Sequence, residues 1–223
     1  MRHKVEAPYV RGEATKARIL DVAITLFGTK GFDSVPTREI AQAASVPQAS
    51  LRYYFISKEG LYIACLEHIQ AQIARQMEPA LSNADALLTD QDARLDALIE
   101  SFCALQEAMI DIMIGGKDGG TAALLLVRHD LPSESGSGTL AGDETSIRRI
   151  AACFTDIMVR ISAGRLDRPS AARLTGMING QITNIYLRRN RLVGDGWDIT
   201  LERLDWIKRM IRFNTTAILQ AHR

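Results

Sequence analysis

Pro36-Thr37-Arg38-Glu39-Ile40-Ala41-Gln42-Ala43-Ala44-Ser45-Val46-Pro47-Gln48-Ala49-Ser50-Leu51-Arg52-Tyr53-Tyr54-Phe55-Ile56-Ser57-Lys58 is the stretch that decides the fold. Ile40, Ala41 and Ala44 stand at helical spacing, so small and branched apolar side chains share one face that can pack closely on a neighbour. Pro36 suits a first helical turn, where no backbone donor is needed. Thr37 and Arg38 then stand at the positive helix end, where a phosphate is favoured. The helix has to stop near Ser45, because Pro47 pushes Val46 out of the helical region and itself suits the first turn of a second helix. A turn of about three residues joins the two. The second helix, from Pro47 to Phe55, carries Gln48, Ser50, Arg52, Tyr53 and Tyr54 around one apolar anchor, Leu51. Glutamine makes a bidentate contact to adenine and arginine to guanine, serine takes several base edges, and a tyrosine hydroxyl reaches phosphate. The pair therefore reads as a helix-turn-helix aimed at a major groove. The plainer alternative is a helical hairpin with a solvated polar face.

From Thr15 to about His68 the chain resembles the TetR family of bacterial transcriptional regulators. The likeness is carried by an amphipathic first helix ending in Leu26-Phe27, then Gly31-Phe32, Thr37-Arg38-Glu39-Ile40-Ala41, Leu51 to Phe55, and Ser57-Lys58-Glu59-Gly60-Leu61. It implies DNA contacts at Thr37, Arg38, Gln48, Ala49, Ser50, Arg52, Tyr53, Tyr54 and Lys58. Three positions depart from the family pattern. Ser45 stands where glycine is usual at the turn, so a left-handed backbone there would cost on the order of 1 kcal/mol relative to Gly. Arg52 replaces the commonest tyrosine and puts a guanidinium beside the groove, which points to a different base preference. Pro36 replaces a capping Ser or Thr, leaving Ser34 and Thr37 as candidate caps.

The 223 residues, 47% of them hydrophobic, suffice for a buried core and fit either one large domain or two small ones. Residues 1–60 hold nine Lys or Arg against six Asp or Glu, whereas the remainder is slightly acidic, for a formal net charge of +1. Affinity for DNA must then come from a local patch and not from a global field. Cys65, Cys103 and Cys153 lie in apolar helical patterns and read as reduced core thiols; no basic neighbour or Cys-x-x-Cys pattern marks a thiol sensor. The four histidines show no metal spacing, so no metal site and no cofactor is expected. No apolar run is long enough to span a bilayer and no signal peptide is recognisable, so a cytoplasmic protein with no membrane partner is expected.

Around the motif, residues 1–12 read as a flexible leader, 13–60 as the DNA-binding domain and 61–223 as a regulatory, ligand-binding and dimerisation domain. Thr15 opens a first helix through Ile19, Val22, Ala23, Leu26 and Phe27 to a stop at Lys30 and Gly31. Ser57 caps a fourth helix that runs to about Met77 and stops before Pro79, followed by a polar break from Ser82 to Asp90. Lys58 at the start of this helix opposes the helix dipole, which suggests a phosphate partner, a solvated lysine being the alternative. A long stripe from Leu95 to Met113 ends at Gly115-Gly116, and a short apolar helix covers Thr121 to Leu131. After a loop, helices are expected at Glu144–Ala163, from Pro169 to a basic end at Arg188–Arg191, and from Thr200 to the C-terminus. The TetR resemblance implies that the last two helices form a four-helix dimer interface with their symmetry mates; otherwise they complete the monomer core. Leu126-Val127-Arg128-His129-Asp130-Leu131-Pro132 and Gly196-Trp197-Asp198 are also similar to the TetR subgroup with a CecR-type C-terminal domain.

The chain is thus expected to be all-α, an N-terminal three-helix DNA-binding head followed by a larger helical bundle with dimerisation helices. It reads as a ligand-responsive transcriptional regulator, in the first place a repressor, binding an inverted-repeat double-stranded operator as a homodimer. An unidentified small-molecule effector would meet Phe102, Met109, Met113, Met177 and Gln181, where a methionine and phenylalanine stripe meets one polar group. A ligand-independent architectural DNA-binding dimer is the rival. No P-loop, dinucleotide turn, zinc helix or nucleophile elbow is present, so no enzyme is expected.

Overall fold

The computed structural model describes the backbone of residues 6–115, 120–130, 145–192 and 200–222, and the side chains of residues 12–115, 120–129, 145–188 and 200–222. The regular elements among them are helices: α1 (Glu6–Lys30), α2 (Thr37–Ala43), α3 (Gln48–Tyr54), α4 (Lys58–Thr89), α5 (Leu95–Met113), α6 (Thr121–Asp130), α7 (Thr145–Ile161), α8 (Arg168–Leu192) and α9 (Leu201–Ala221). The all-α expectation holds, and the helix-turn-helix stands where the motif placed it. The described residues of Met1–Ala71 and Thr121–Asp143 gather into one compact unit, and those of Gln72–Gly120 and Glu144–Arg223 into another. The loop after α6, the Gly196-Trp197-Asp198 turn and the first residues of the leader lie outside the described residues.

In the first unit α1 buries Ile19, Leu20, Ala23, Ile24 and Phe27. Their spacing keeps them on one face of a 3.6-residue helix. Ile40 and Ala41 of α2, Ala44 at its C-terminal cap, Leu51 of α3 and Leu61, Tyr62, Cys65 and Leu66 of α4 complete this core. Helix α1 starts at Glu6, well before Thr15. Pro8 does not prevent this, because it falls in the first turn, where backbone amides have no intrahelical acceptor to lose. Helix α6 packs along α1. A Cβ on Gly28 would stand 2.5 Å from the Thr121 carbonyl oxygen, so only glycine lets the two helices approach this closely.

The second unit is built on Met77, Leu81 and Ala84 of α4, Leu98, Phe102 and Leu105 of α5, Phe154, Ile157 and Ile161 of α7 and Ile178 of α8. Phe102 and Phe154 meet edge to face at 4.8 Å between centroids. Along the outside, Arg212 of α9 pairs with Glu100 at 2.6 Å and Glu107 at 2.7 Å, and Lys208 pairs with Asp111 at 2.6 Å, a ladder that sets α9 against α5.

Helix α4 departs from expectation, passing through Pro79 and through the polar stretch to Thr89. Proline in a helix interior costs roughly 3 kcal/mol. Burial of Met77 at 0% and Leu81 at 2% exposure, on either side of it, returns roughly 1.5–3 kcal/mol each. Arg149 adds a clamp across the same stretch, donating to Glu78 at 2.7 Å and Asp85 at 3.0 Å. The helix ends where the Arg160 guanidinium takes the Leu88 and Asp90 carbonyls, at 3.0 and 2.9 Å. A cation suits that end of the dipole.

Candidate nucleic-acid interface

The two motif helices are shorter than their sequence limits, and four residues, Ala44 to Pro47, separate them. Pro36 and Pro47 are themselves the N-caps, both extended, and neither helix has a side-chain cap hydrogen bond. Ser34 and Thr37 therefore do not cap α2; with proline at the cap position, the first turn closes through Glu39 N–H to the Pro36 carbonyl at 3.0 Å. Helix α2 ends in a paired-amide motif, with Val46 N–H on the Ala41 carbonyl and Ser45 N–H on the Gln42 carbonyl, both at 3.0 Å. This closure demands a left-handed residue between them. Ser45 supplies it at φ 51°.

Leu51 is the one buried residue of α3, at 2% exposure. It pins a helix whose other faces are open: Gln48, Ala49, Arg52 and Tyr53 are exposed, Tyr53 to 83%, while Ser50 and Tyr54 are half-buried. The Tyr53 ring stands edge-on to Tyr54 at 5.1 Å, and the Tyr54 hydroxyl lies against α1 at Gly12. On α2, Arg38 is exposed and Thr37 half-buried. The neighbouring Glu39 turns away to meet Lys30 at 2.6 Å, tying α2 to the end of α1.

Lys58 opens α4 in the turn that Ser57 caps, the serine oxygen accepting the Gly60 N–H at 3.0 Å. The Lys58 ammonium lies over the Phe32 ring, 4.5 Å from its centroid, and donates to the Asp33 carbonyl at 3.5 Å. The role of Phe32 is not evident in the sequence, where it stands only in the Gly31-Phe32 pair after the first helix. Glu59 beside it is held below the usual carboxylate range, first by a backbone hydrogen bond and then by Ser57.

The residues expected around an effector are spread over the second unit. Phe102 is fully buried, Met109 and Met113 are partly covered, and Met177 is 75% exposed on α8. Gln181 donates to the Ile178 carbonyl at 3.0 Å and accepts from Asn214 at 3.3 Å, so its polar group is satisfied within the chain. Gln106 carries no distinguishing signal in the sequence. It is 1% exposed and donates to Asn179 at 2.9 Å, while its own carbonyl oxygen is buried without a hydrogen-bond partner. Burial raises the pKa of all three thiols, Cys153 to about 11, which leaves them protonated. Among the described residues no helix is long and apolar enough to cross a membrane.

A short helix pinned at one leucine, with amide, guanidinium and phenol groups facing outward, is the form of a DNA-reading helix-turn-helix. Residues 19–65 match the bacterial regulatory proteins, tetR family. Over this segment the chain is similar to that family. Over 104 residues it is 33% identical to the HTH-type transcriptional dual regulator CecR of Shigella flexneri, a match covering 47% of this chain and 46% of the relative. Over 76 residues it is 34% identical to the biofilm operon icaADBC HTH-type negative transcriptional regulator IcaR of Staphylococcus aureus, covering 32% of this chain and 41% of that one. The chain thus spans less than half the length of these curated relatives. A solved transcriptional regulator of the TerR/AcrR family from Aquifex aeolicus VF5 shares the fold, with a TM-score of 0.60 at 18% identity over 92% of this chain and 99% of that one.

Proposed function

We propose that this protein is a transcriptional regulator that binds an inverted-repeat operator as a homodimer and is released from it by a small molecule, most simply as a repressor. The observation that carries the DNA-binding reading is α3 itself: Gln48, Ala49, Arg52 and Tyr53 are exposed around a single buried anchor. In this reading Gln48, Ser50 and Arg52 meet base edges, while Thr37, Arg38, Tyr54 and Lys58 hold the backbone. Residues beyond the reading head carry regulation and dimerisation. Dimerisation is supported by Trp206, Met210 and Phe213, which recur at helical spacing on α9 and are 54%, 40% and 71% exposed. An apolar stripe of this kind marks an interaction surface. Ile207 and Ile211, in contrast, are buried within the protomer at 0% and 2% and cannot form that surface. The effector reading is supported by the buried, unpartnered Gln106 oxygen, which a donor group of a ligand would satisfy.

The test begins with selection of bound duplexes from a random library, followed by titration of the recovered sequence with Arg52→Ala. An inverted repeat is expected. The variant should lose roughly 1–3 kcal/mol and relax the preference at one base pair in each half-site. Recovery of no common sequence, or an unchanged profile for the variant, overturns the reading of α3.

A further inference from the structure

We propose that His129, Tyr62 and Phe32 are positioning residues for Lys58, so that the seating of α6 on α1 determines whether the Lys58 ammonium is held ready for a DNA phosphate. This rests on the reading of Lys58 as a phosphate contact.

The inner end of the arrangement is the last turn of α6. The His129 imidazole lies 5.9 Å from the Tyr62 ring, and its Nδ1 is buried without a hydrogen-bond partner, so packing seats the ring where that nitrogen offers no hold. Tyr62, 3% exposed, meets Phe27 edge to face at 5.4 Å and Phe32 edge to face at 5.0 Å. Phe32 in turn lies under the Lys58 ammonium at 4.5 Å. A continuous run of ring contacts therefore joins α6 to the first residue of α4. An aromatic face and one neutral carbonyl orient an ammonium without cancelling its charge, which is the condition of a group waiting for a phosphate. The adjacent carboxylate, Glu59, is engaged first by a backbone amide and then by Ser57, with the electrostatic pull of Lys58 the smallest of its interactions.

Seating of α6 is tightly specified. Any side chain at Gly28 would press on the Thr121 carbonyl, with the Leu125 backbone nitrogen 3.7 Å away, and Arg128 donates to the Thr29 carbonyl at 3.4 Å. Close-packed interiors pass a displacement to their neighbours and do not absorb it. A shift of α6 then moves His129, loosens the His129 side of the Tyr62 ring, and shifts Phe32, which also rests on Phe27, beneath Lys58.

The experiment uses the full chain and the duplex recovered by selection, labelled for anisotropy, over a salt series from about 50 to 200 mM. Lys58→Ala should lower the salt slope by about one, so that its affinity deficit shrinks roughly three- to four-fold across that range. His129→Ala and Gly28→Ala, both with wild-type helicity by circular dichroism, should lower the slope by a part of the same unit and have no further effect when combined with Lys58→Ala. His129→Phe, which keeps a ring against Tyr62, should restore the wild-type slope. If His129→Ala and Gly28→Ala keep the wild-type slope, or weaken binding equally with and without Lys58, the positioning role is overturned while the phosphate contact stands. A wild-type slope for Lys58→Ala overturns both. Should His129→Ala fail to fold, His129→Phe and Gly28→Ala still decide: a wild-type slope in Gly28→Ala refutes the proposal.

Discussion

Replacing Ser45 by glycine should stabilise the DNA-reading unit, and the size of the gain follows from two opposing terms. Serine at φ 51° sits in the left-handed region, which costs an L-residue roughly 1–2 kcal/mol. Glycine removes that cost but brings about 0.5–1 kcal/mol of extra backbone entropy to the unfolded chain. The net expectation is a gain of about 0.5–1 kcal/mol. The closure around Ser45 is otherwise retained, because both of its hydrogen bonds are made by backbone groups. Hydrogen exchange at the Val46 amide, which bonds to Ala41, reads the gain locally as about two- to five-fold slower exchange. Ser45→Val supplies the opposite sign, since a β-branched residue is an outlier at positive φ. Faster exchange in the glycine variant, or no change in the valine variant, would refute the argument that the turn stores backbone strain.

Other perturbations bear on the remaining parts of the molecule. Phe213→Asp, alone or with Trp206→Asp, should give a folded monomer in sedimentation, whereas Ile211→Asp should unfold the protein because an unpaired buried charge costs several kcal/mol; a dimer that survives both surface changes rules out that face. Phe102→Ala should cost about 3–5 kcal/mol in urea unfolding, since its ring is fully buried against Phe154; a loss below about 1 kcal/mol would mean the site collapses without penalty. Asp167 is held below its ordinary value by hydrogen bonds from the Ser170 side chain and backbone, so its contribution is present above the unfolded carboxylate value of about 3.9 and is lost as pH falls through the lower folded value. Melting temperatures taken from neutral pH downward should therefore fall more steeply in the wild type than in Asp167→Asn, and equal slopes would remove Asp167 from the account.

Much of the reading head is legible because its signals are local. Pro36 and Pro47 bound the motif helices, Leu51 is the lone apolar residue among polar ones, and Ser57 caps α4 as its spacing demands. Pro79 misleads because its cost is local while the burial that outweighs it comes from α5 and α7, distant in sequence. Ile207 and Ile211 obey helical periodicity, yet periodicity alone does not separate a face turned to the protomer core from one turned outward; Trp206 and Phe213 on the next stripe show which is which. Gln106 escapes notice because one amide in an amphipathic helix is unremarkable until its carbonyl is found buried and unpaired. Phe32 and His129 have meaning only through contacts with Tyr62, thirty and sixty-seven residues from them, which no short-range pattern encodes.

The return of α6 to the unit of α1 also imposes an order on synthesis. The surface around Gly28 and Tyr62 is made when residue 71 leaves the ribosome, but the helix that covers it starts at Thr121. At translation rates of about 5–20 residues per second, that surface waits roughly 3 to 10 seconds for its cover. During the wait the nascent head exposes the aromatic ring of Tyr62, and a chaperone or a second nascent chain can reach it. A fragment ending at residue 71 would lack the helix that packs on α1 and would keep the surface around Gly28 uncovered.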